Sequence, residues 1–235
     1  MRYAIYYTPS ADDPLTRRAA RWLGRDAFTG EAREQPSLSP FPAAALAELT
    51  ADPRRYGFHA TLKAPFELAG GMSEAALLAA LDDFAAETPA FVLPELVVGR
   101  LGLFFALVPA GPDAHLQRLA DDCVRRFDRF RAPLSKADTD RRNPDAMNDR
   151  ERRNLQDWGY PYVFDAFRFH MTLTGPVDPA DQPAMRAAID SYFAGLVPAP
   201  RRIGHLALFV EPERGAPFEV RKTARLADAE ARKTA

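Results

Sequence analysis

The chain has 235 residues, 47% hydrophobic and 27% charged, enough for a substantial core in one domain or two lobes. Its formal net charge of −1 argues against an extended nucleic-acid footprint, which needs a strongly basic face. No apolar run reaches the roughly 18 residues of a membrane-spanning helix. Met1-Arg2-Tyr3-Ala4-Ile5 leads into a strand without a signal peptide's apolar stretch, and the single cysteine, Cys123, excludes an intramolecular disulfide, so a cytoplasmic protein is expected.

In chain order, the first helix signal is Asp13-Pro14, a cap followed by a first-turn proline. Leu15, Arg18, Ala19, Trp22 and Leu23 follow, with Gly24 as the stop. The next segment, from Arg55 through Phe58-His59-Ala60-Thr61-Leu62-Lys63-Ala64-Pro65, is predicted as a strand. Phe58, Ala60 and Leu62 share an apolar face; Arg55, His59, Thr61 and Lys63 share the opposite one. Ser73 then caps a helix whose buried stripe is Leu77, Leu78, Leu81 and Phe84, and a strand is predicted at Gly99-Arg100-Leu101-Gly102-Leu103-Phe104.

Asp113 begins a helix with its stripe at Leu116, Leu119, Ala120, Cys123, Val124 and Phe127. Cys123 is expected to be a small buried hydrophobe rather than a nucleophile, and His115, off the stripe, to be exposed. Residues 132–166 are long for a passive connection and are expected to form a lid. Within them Asn148 and Glu151 make a capping-box pattern, with Gly159 able to end the helix. Ten arginines and lysines between Arg125 and Arg153, Arg142 among them, alternate with acidic residues. They can form a solvated mixed-charge surface, or some can meet a phosphorylated ligand.

A second strand is predicted at Arg168-Phe169-His170-Met171-Thr172-Leu173-Thr174. Phe169, Met171 and Leu173 face the core, and Arg168, His170, Thr172 and Thr174 face away. After Pro179 and Pro183, Met185, Ala188, Ile189, Tyr192 and Phe193 have helical spacing, and Gly204-His205-Leu206-Ala207-Leu208-Phe209 has strand character. His205 is placed either at the core edge or in a groove.

The repeat carries the chemistry. Phe58-His59-Ala60-Thr61-Leu62 and Phe169-His170-Met171-Thr172-Leu173 match at a constant offset of 111 (170 − 59). Gly99 to Phe104 matches Gly204 to Phe209 after each intervening helix. Such internal similarity predicts two related lobes within one domain spanning 1–235. The first lobe lies mainly in 40–131, the insertion in 132–166 and the second lobe mainly in 167–226. Two histidines on matched strand faces form a ready acid–base pair at neutral pH.

The doubled H-x-T pattern resembles the 2H phosphoesterase superfamily. The fuller wording, from Arg2-Tyr3-Ala4-Ile5-Tyr6-Tyr7 through Arg55-Tyr56-Gly57-Phe58-His59 and Trp158-Gly159-Tyr160-Pro161-Tyr162 to Phe167-Arg168-Phe169-His170, resembles its DUF1045 branch, often labelled as phosphonate-metabolism proteins. The resemblance implies an α+β fold of two pseudo-symmetric lobes, with antiparallel sheets lining a central groove and helices outside. It implies metal-free catalysis without a cofactor by His59, Thr61, His170 and Thr172. The phosphonate link implies opening of a 1,2-cyclic ribose phosphate.

From the residues themselves, Lys63, Arg168, Thr174 and Arg55 are expected to bind substrate phosphate. No metal-ligand spacing and no glycine-rich phosphate loop is present. Three functions remain open: hydrolysis of a small cyclic phosphodiester, processing of RNA 2′,3′-cyclic or 2′,5′ ends, and phosphate binding without catalysis. The expected partner is a small phosphorylated substrate, with RNA as the alternative, and no membrane. The oligomeric state is open.

Overall fold

A computed structural model describes residues 1–228; the part of the single-domain expectation that covers 229–235 lies outside them. Eight strands run in chain order: β1 (Arg2–Tyr7), β2 (Ala60–Phe66), β3 (Phe91–Leu101), β4 (Phe104–Pro109), β5 (Met171–Thr172), β6 (Ala199–Ile203), β7 (His205–Glu211) and β8 (Glu219–Arg225). They form one curled sheet in the order β6-β3-β4-β5-β2-β1-β7-β8, with every pairing antiparallel. The expected α+β class is borne out, with a single continuous sheet in place of separate ones.

Helices are α1 (Pro14–Leu23), α2 (Ala43–Leu49), α3 (Ala51–Tyr56), α4 (Glu74–Glu87), α5 (Ala114–Phe127), α6 (Lys136–Arg141), α7 (Asp149–Trp158) and α8 (Gln182–Tyr192). The cap signals act as expected. Asp13, Ser73 and Asp113 accept backbone N–H groups at the starts of α1, α4 and α5. Asn148 and Glu151 close a capping box on α7, and Gly24 and Gly159 end their helices in left-handed conformations.

The mid-sheet boundary falls between β5 and β2, and each half is built from both ends of the chain. β2 is followed outward by β1, β7 and β8; β5 by β4, β3 and β6. β3 and β7, which carry the matched glycine-leucine stretches, thus sit third from the centre on opposite sides. The first repeat sends its last strand into the second half, and the second repeat returns the exchange. The expected lobe limits, 40–131 and 167–226, therefore do not coincide with the halves of the sheet. The helices follow the same rule. α5, which follows β4, packs on β2, and α4 packs on β7 and β8. α8 packs on β3, and Trp22 of α1 stacks against Tyr192 and Phe193 at its end.

These helices cover one face of the sheet with the main core, in which Ile5, Trp22, Leu77, Leu107, Phe127, Met171 and Phe193 are buried. Cys123 lies fully buried there and His115 is exposed, both as expected. His205 sits at a core edge against Tyr7, ring centroids 6.2 Å apart. Ala4, Tyr6, Ala207, Phe209 and Phe218 form a smaller cluster on the other face.

Three local expectations are corrected. Residues 99–104 do not form one strand: Gly102 turns the chain between β3 and β4 with φ +61°. Arg55 belongs to α3, not to the motif strand. The second motif strand is two residues long, because the Leu173 and Thr174 N–H groups both turn onto the Phe105 carbonyl.

Candidate active site

The strands β2 and β5 are joined at the pair Ala60↔Met171. Antiparallel register then sets His59 opposite Thr172 and Thr61 opposite His170. The two H-x-T motifs are related by a local two-fold axis through this pair. Ala60 and Met171 are both fully buried on the helix side. Alternation therefore sends all four motif side chains to the other face. A one-residue slip would bury both histidines in the core.

Each ring is oriented by the same device. His59 Nδ1 donates to the Gly57 carbonyl at 2.9 Å, and His170 Nδ1 donates to the Arg168 carbonyl at 2.7 Å. In both motifs the acceptor lies two residues upstream. A backbone carbonyl can only accept, so each Nδ1 carries hydrogen and each Nε2 is left for chemistry. The Thr61 hydroxyl donates to His59 Nε2 at 3.3 Å.

Gly57 answers the asymmetry between the motifs. It occupies the repeat position of Arg168 with φ +77°, and a Cβ there would lie 2.5 Å from the Ala27 Cβ. Only glycine satisfies both conditions, so no cation can stand at this position of the first motif.

Burial governs the electrostatics. Tyr6 stacks on His59 with ring centroids 4.0 Å apart, and Tyr56 and Phe209 lie at 6.0 and 6.1 Å. Burial pushes the His59 pKa down to about 4, with the nearby His170 adding to the effect. The His170 pKa is also lowered by burial. Tyr6 is held neutral, its pKa raised well above the ordinary value by burial.

The remaining expected residues are scattered. Arg168 is exposed and lines a cavity of about 1020 Å³ with Thr61, His170 and Phe104. Residues of the insertion between 148 and 166, including Tyr160 and Tyr162, line the same cavity. Lys63 is not on this face. β2 bulges against β1 between Thr61 and Lys63, so Lys63 pairs with the core residue Ile5. Its Nζ lies 2.6 Å from Asp128 Oδ1 beneath α5, with only 3% of its side chain exposed. Thr174 is also buried, its hydroxyl oxygen accepting the Phe105 N–H at 3.0 Å. Arg55 stacks on Tyr56 and pairs with the buried Glu211 at 3.3 Å, in a neighbouring cavity rather than beside His59.

Tyr6, Tyr56, Tyr160, Arg2 and Arg142 are the site residues that strand parity did not single out. Tyr6 was legible in retrospect, as the large polar residue alternating with Ile5 in a buried strand. Arg2 shares the alternation of Tyr6 at the start of β1, while Tyr56 lies on a helix and Tyr160 and Arg142 in the insertion, where no periodicity points at a site.

No helix of the described residues is long and apolar enough to cross a membrane. Two curated proteins named ribose 1,5-bisphosphate phosphokinase PhnN are similar. The one from Janthinobacterium sp. (strain Marseille) is 42% identical over 92% of this chain and 49% of its own length. The one from Laribacter hongkongensis (strain HLHK9) is 38% identical over 94% and 50%. The chain thus spans about half the length of the curated relatives it matches. Among solved structures, E. coli LigT complexed with NADP+ aligns over 97% of this chain and 98% of its own at 15% identity and a TM-score of 0.47. The profile of DUF1045, described as a protein of unknown function, matches residues 61–219, more than half of the sequence. The expected DUF1045 membership is thereby borne out: the chain belongs to the DUF1045 family.

Proposed function

We propose that this protein is a metal-independent phosphoesterase that opens a small cyclic phosphodiester, with His59 as general base and His170 as general acid. The observation that carries the reading is the two-fold pair of H-x-T motifs, with both Nδ1 atoms tied back to a backbone carbonyl and both Nε2 atoms turned to one face, that of His59 meeting only the Thr61 hydroxyl.

The chemistry follows from that arrangement. Water attacks phosphorus as His59 Nε2 takes its proton, and His170 Nε2–H gives a proton to the departing sugar oxygen. A phosphomonoester and a free hydroxyl result, and solvent returns each ring to its starting state. His59, more strongly deprotonated by burial, is the better candidate for the base. Thr61 and Thr172 supply hydroxyl donors to the phosphoryl oxygens as charge redistributes. In this reading the substrate and water replace the resting contact between Thr61 and His59.

The substrate is read as ribose-based. The curated relatives carry a ribose phosphate in their names, and the family resemblance links the chain to phosphonate catabolism. The lone buried Cys123 fits a reducing cytoplasm. Processing of RNA ends is the second reading, favoured by Arg100, Arg150, Arg153 and Arg168 around the His170 cavity. Asp149, Glu151 and Asp165 in the same wall offset much of that charge.

Turnover on 1,2-cyclic ribose phosphates, 2′,3′-cyclic mononucleotides and cyclic-ended RNA oligomers separates the readings. The small esters are expected to be the better substrates. His59→Ala and His170→Ala should each cut turnover at least about a hundredfold. The double variant should be little worse, because the two groups act as a unit. Near-normal activity in either single variant sinks the two-histidine mechanism. Faster turnover of RNA moves the assignment to end processing, and binding with no turnover on any ester leaves a phosphate-binding module.

A further inference from the structure

Beside the histidine face lies a second cavity of about 580 Å³ lined by Arg2, Arg55, Tyr56, Arg141, Arg142 and Arg214. Five arginines meet three carboxylates there. Arg2 and Arg55 share the buried Glu211. Arg214 binds Glu67 at 2.8 Å and Asp138 at 2.6 Å, and Arg141 also reaches Asp138 at 3.2 Å. Two positive charges are left uncompensated.

Arg142 carries this imbalance, its side chain half-buried. Its guanidinium lies over the Tyr160 ring, 5.0 Å from the centroid. The carboxylate whose charge it feels, Asp138, is already held by Arg214 and Arg141, while Arg2 repels it. Among the described residues none accepts a hydrogen bond from its side chain. A guanidinium has five donors in a planar fork, and partial burial without an anion leaves them open to one. Burial lowers its pKa accordingly. Structural arginines satisfy their donors, as Arg54 does with the Leu23 and Ala47 carbonyls. Arg142 is built as a receptor.

The position ties it to the reaction site. Tyr56 lines the arginine cavity, and its ring is 6.0 Å from that of His59. Tyr160, under Arg142, lines the His170 cavity. Tyr56 thus borders both the cationic chamber and His59, and Tyr160 both Arg142 and the His170 cavity.

We infer that the Arg142 chamber, with Arg2 and Arg55, is a subsite for a second, terminal phosphate on the same small substrate. The substrate class is then a sugar that bears both a cyclic phosphodiester and a phosphomonoester. A phosphomonoester dianion matches the two surplus charges, and Arg142 can grip it through a bidentate fork. The insertion that carries Arg142 and Tyr160 thus selects the substrate as well as covering it. This inference rests on the hydrolase reading for its second half only. The chamber's affinity for a phosphomonoester is independent of any turnover.

Calorimetric titration with ribose 5-phosphate and with ribose tests it, since neither has an ester to cleave by this route. The wild-type protein should bind ribose 5-phosphate and not ribose. Arg142→Gln should weaken that binding at least about tenfold, the low end for a charge-assisted hydrogen bond. The melting temperature without ligand should stay nearly the same, because the half-buried guanidinium gives up no hydrogen bond or ion pair within the protein. Wild-type affinity in Arg142→Gln, or equal affinity of wild type for the sugar and its phosphate, overturns the subsite. Should the variant not fold, a wild-type crystal soaked in ribose 5-phosphate decides: phosphate oxygens at the Arg142 guanidinium support the proposal, and phosphate elsewhere overturns it. Intact binding together with no hydrolysis of any cyclic ester would count against the hydrolase reading alone.

Discussion

The two imidazoles set the pH behaviour of the protein. Each has a native pKa below the roughly 6.5 of an unfolded histidine, with His59 at about 4. The unfolded chain therefore binds more protons between those values, and stability rises with pH across the window. The stabilisation that neutral His59 contributes is complete above about pH 6.5 and is lost as the pH falls toward about 4. Melting curves should show this loss in the wild type and a smaller one in His59→Gln. Catalysis follows the same shifts. The base must be neutral and the acid protonated, so kcat/KM should be bell-shaped with its centre below pH 6.5. An optimum at pH 8 or above would contradict the depressed His170 and the roles assigned to the pair. A phosphate anion bound between the rings raises both pKa values, so the kcat profile should lie at higher pH than that of kcat/KM.

At the level of elements, β2 shows how one extra residue redirects a side chain. Simple alternation puts Lys63 with His59 and Thr61, but the bulge against β1 turns it under α5 toward Asp128. Its expected phosphate role gives way to a structural one. Removing one member of a buried ion pair typically costs about 3–5 kcal/mol. Arg131 remains on Asp128 at 2.8 Å, so Lys63→Ala should cost less, about 2–3 kcal/mol. Denaturant titration should detect that loss, with phosphate affinity unchanged. Weakened phosphate binding at full stability would return Lys63 to the site. β5 makes a related point. It stops after Thr172 because Thr174 turns inward to serve the Phe105 N–H, which takes the threonine from the histidine face.

Across the whole molecule, the sheet is a single surface on which two sequence repeats exchange their outer strands. This exchange brings the motif strands together at the centre, with α1, α4, α5 and α8 packed on one side. The opposite face holds the two motif histidines, with residues of 148–166 beside His170. The chemistry proposed for it rests on protonic groups and arginines. Among the described residues no group of three or more His, Cys, Asp and Glu side chains could hold a metal ion. Exhaustive dialysis against EDTA should therefore leave turnover of the cyclic ester unchanged. Activity lost on dialysis and regained with zinc or magnesium would overturn the metal-free reaction.

Much of this molecule is decided by local patterns. Helix limits at Asp13, Ser73, Asp113, Asn148 and Gly159 follow from cap chemistry that acts within a few residues. The inward faces of both motif strands follow from period-two alternation, and the pairing of His59 with His170 follows from an internal repeat. Other features depended on contacts distant in sequence. The bulge that removes Lys63 is a property of two strands, β1 and β2, about 60 residues apart. Glycine at position 57 answers a close approach of Ala27. The strand exchange depends on which edges meet, and α3 forms where a strand pattern had equal claim. The environment of Arg142 is set by carboxylates already occupied by other arginines. Alternation and capping are short-range and survive in the sequence as periods and motifs. Register, burial of charge and the occupancy of a partner are many-body consequences of packing, and only the tertiary structure decides them.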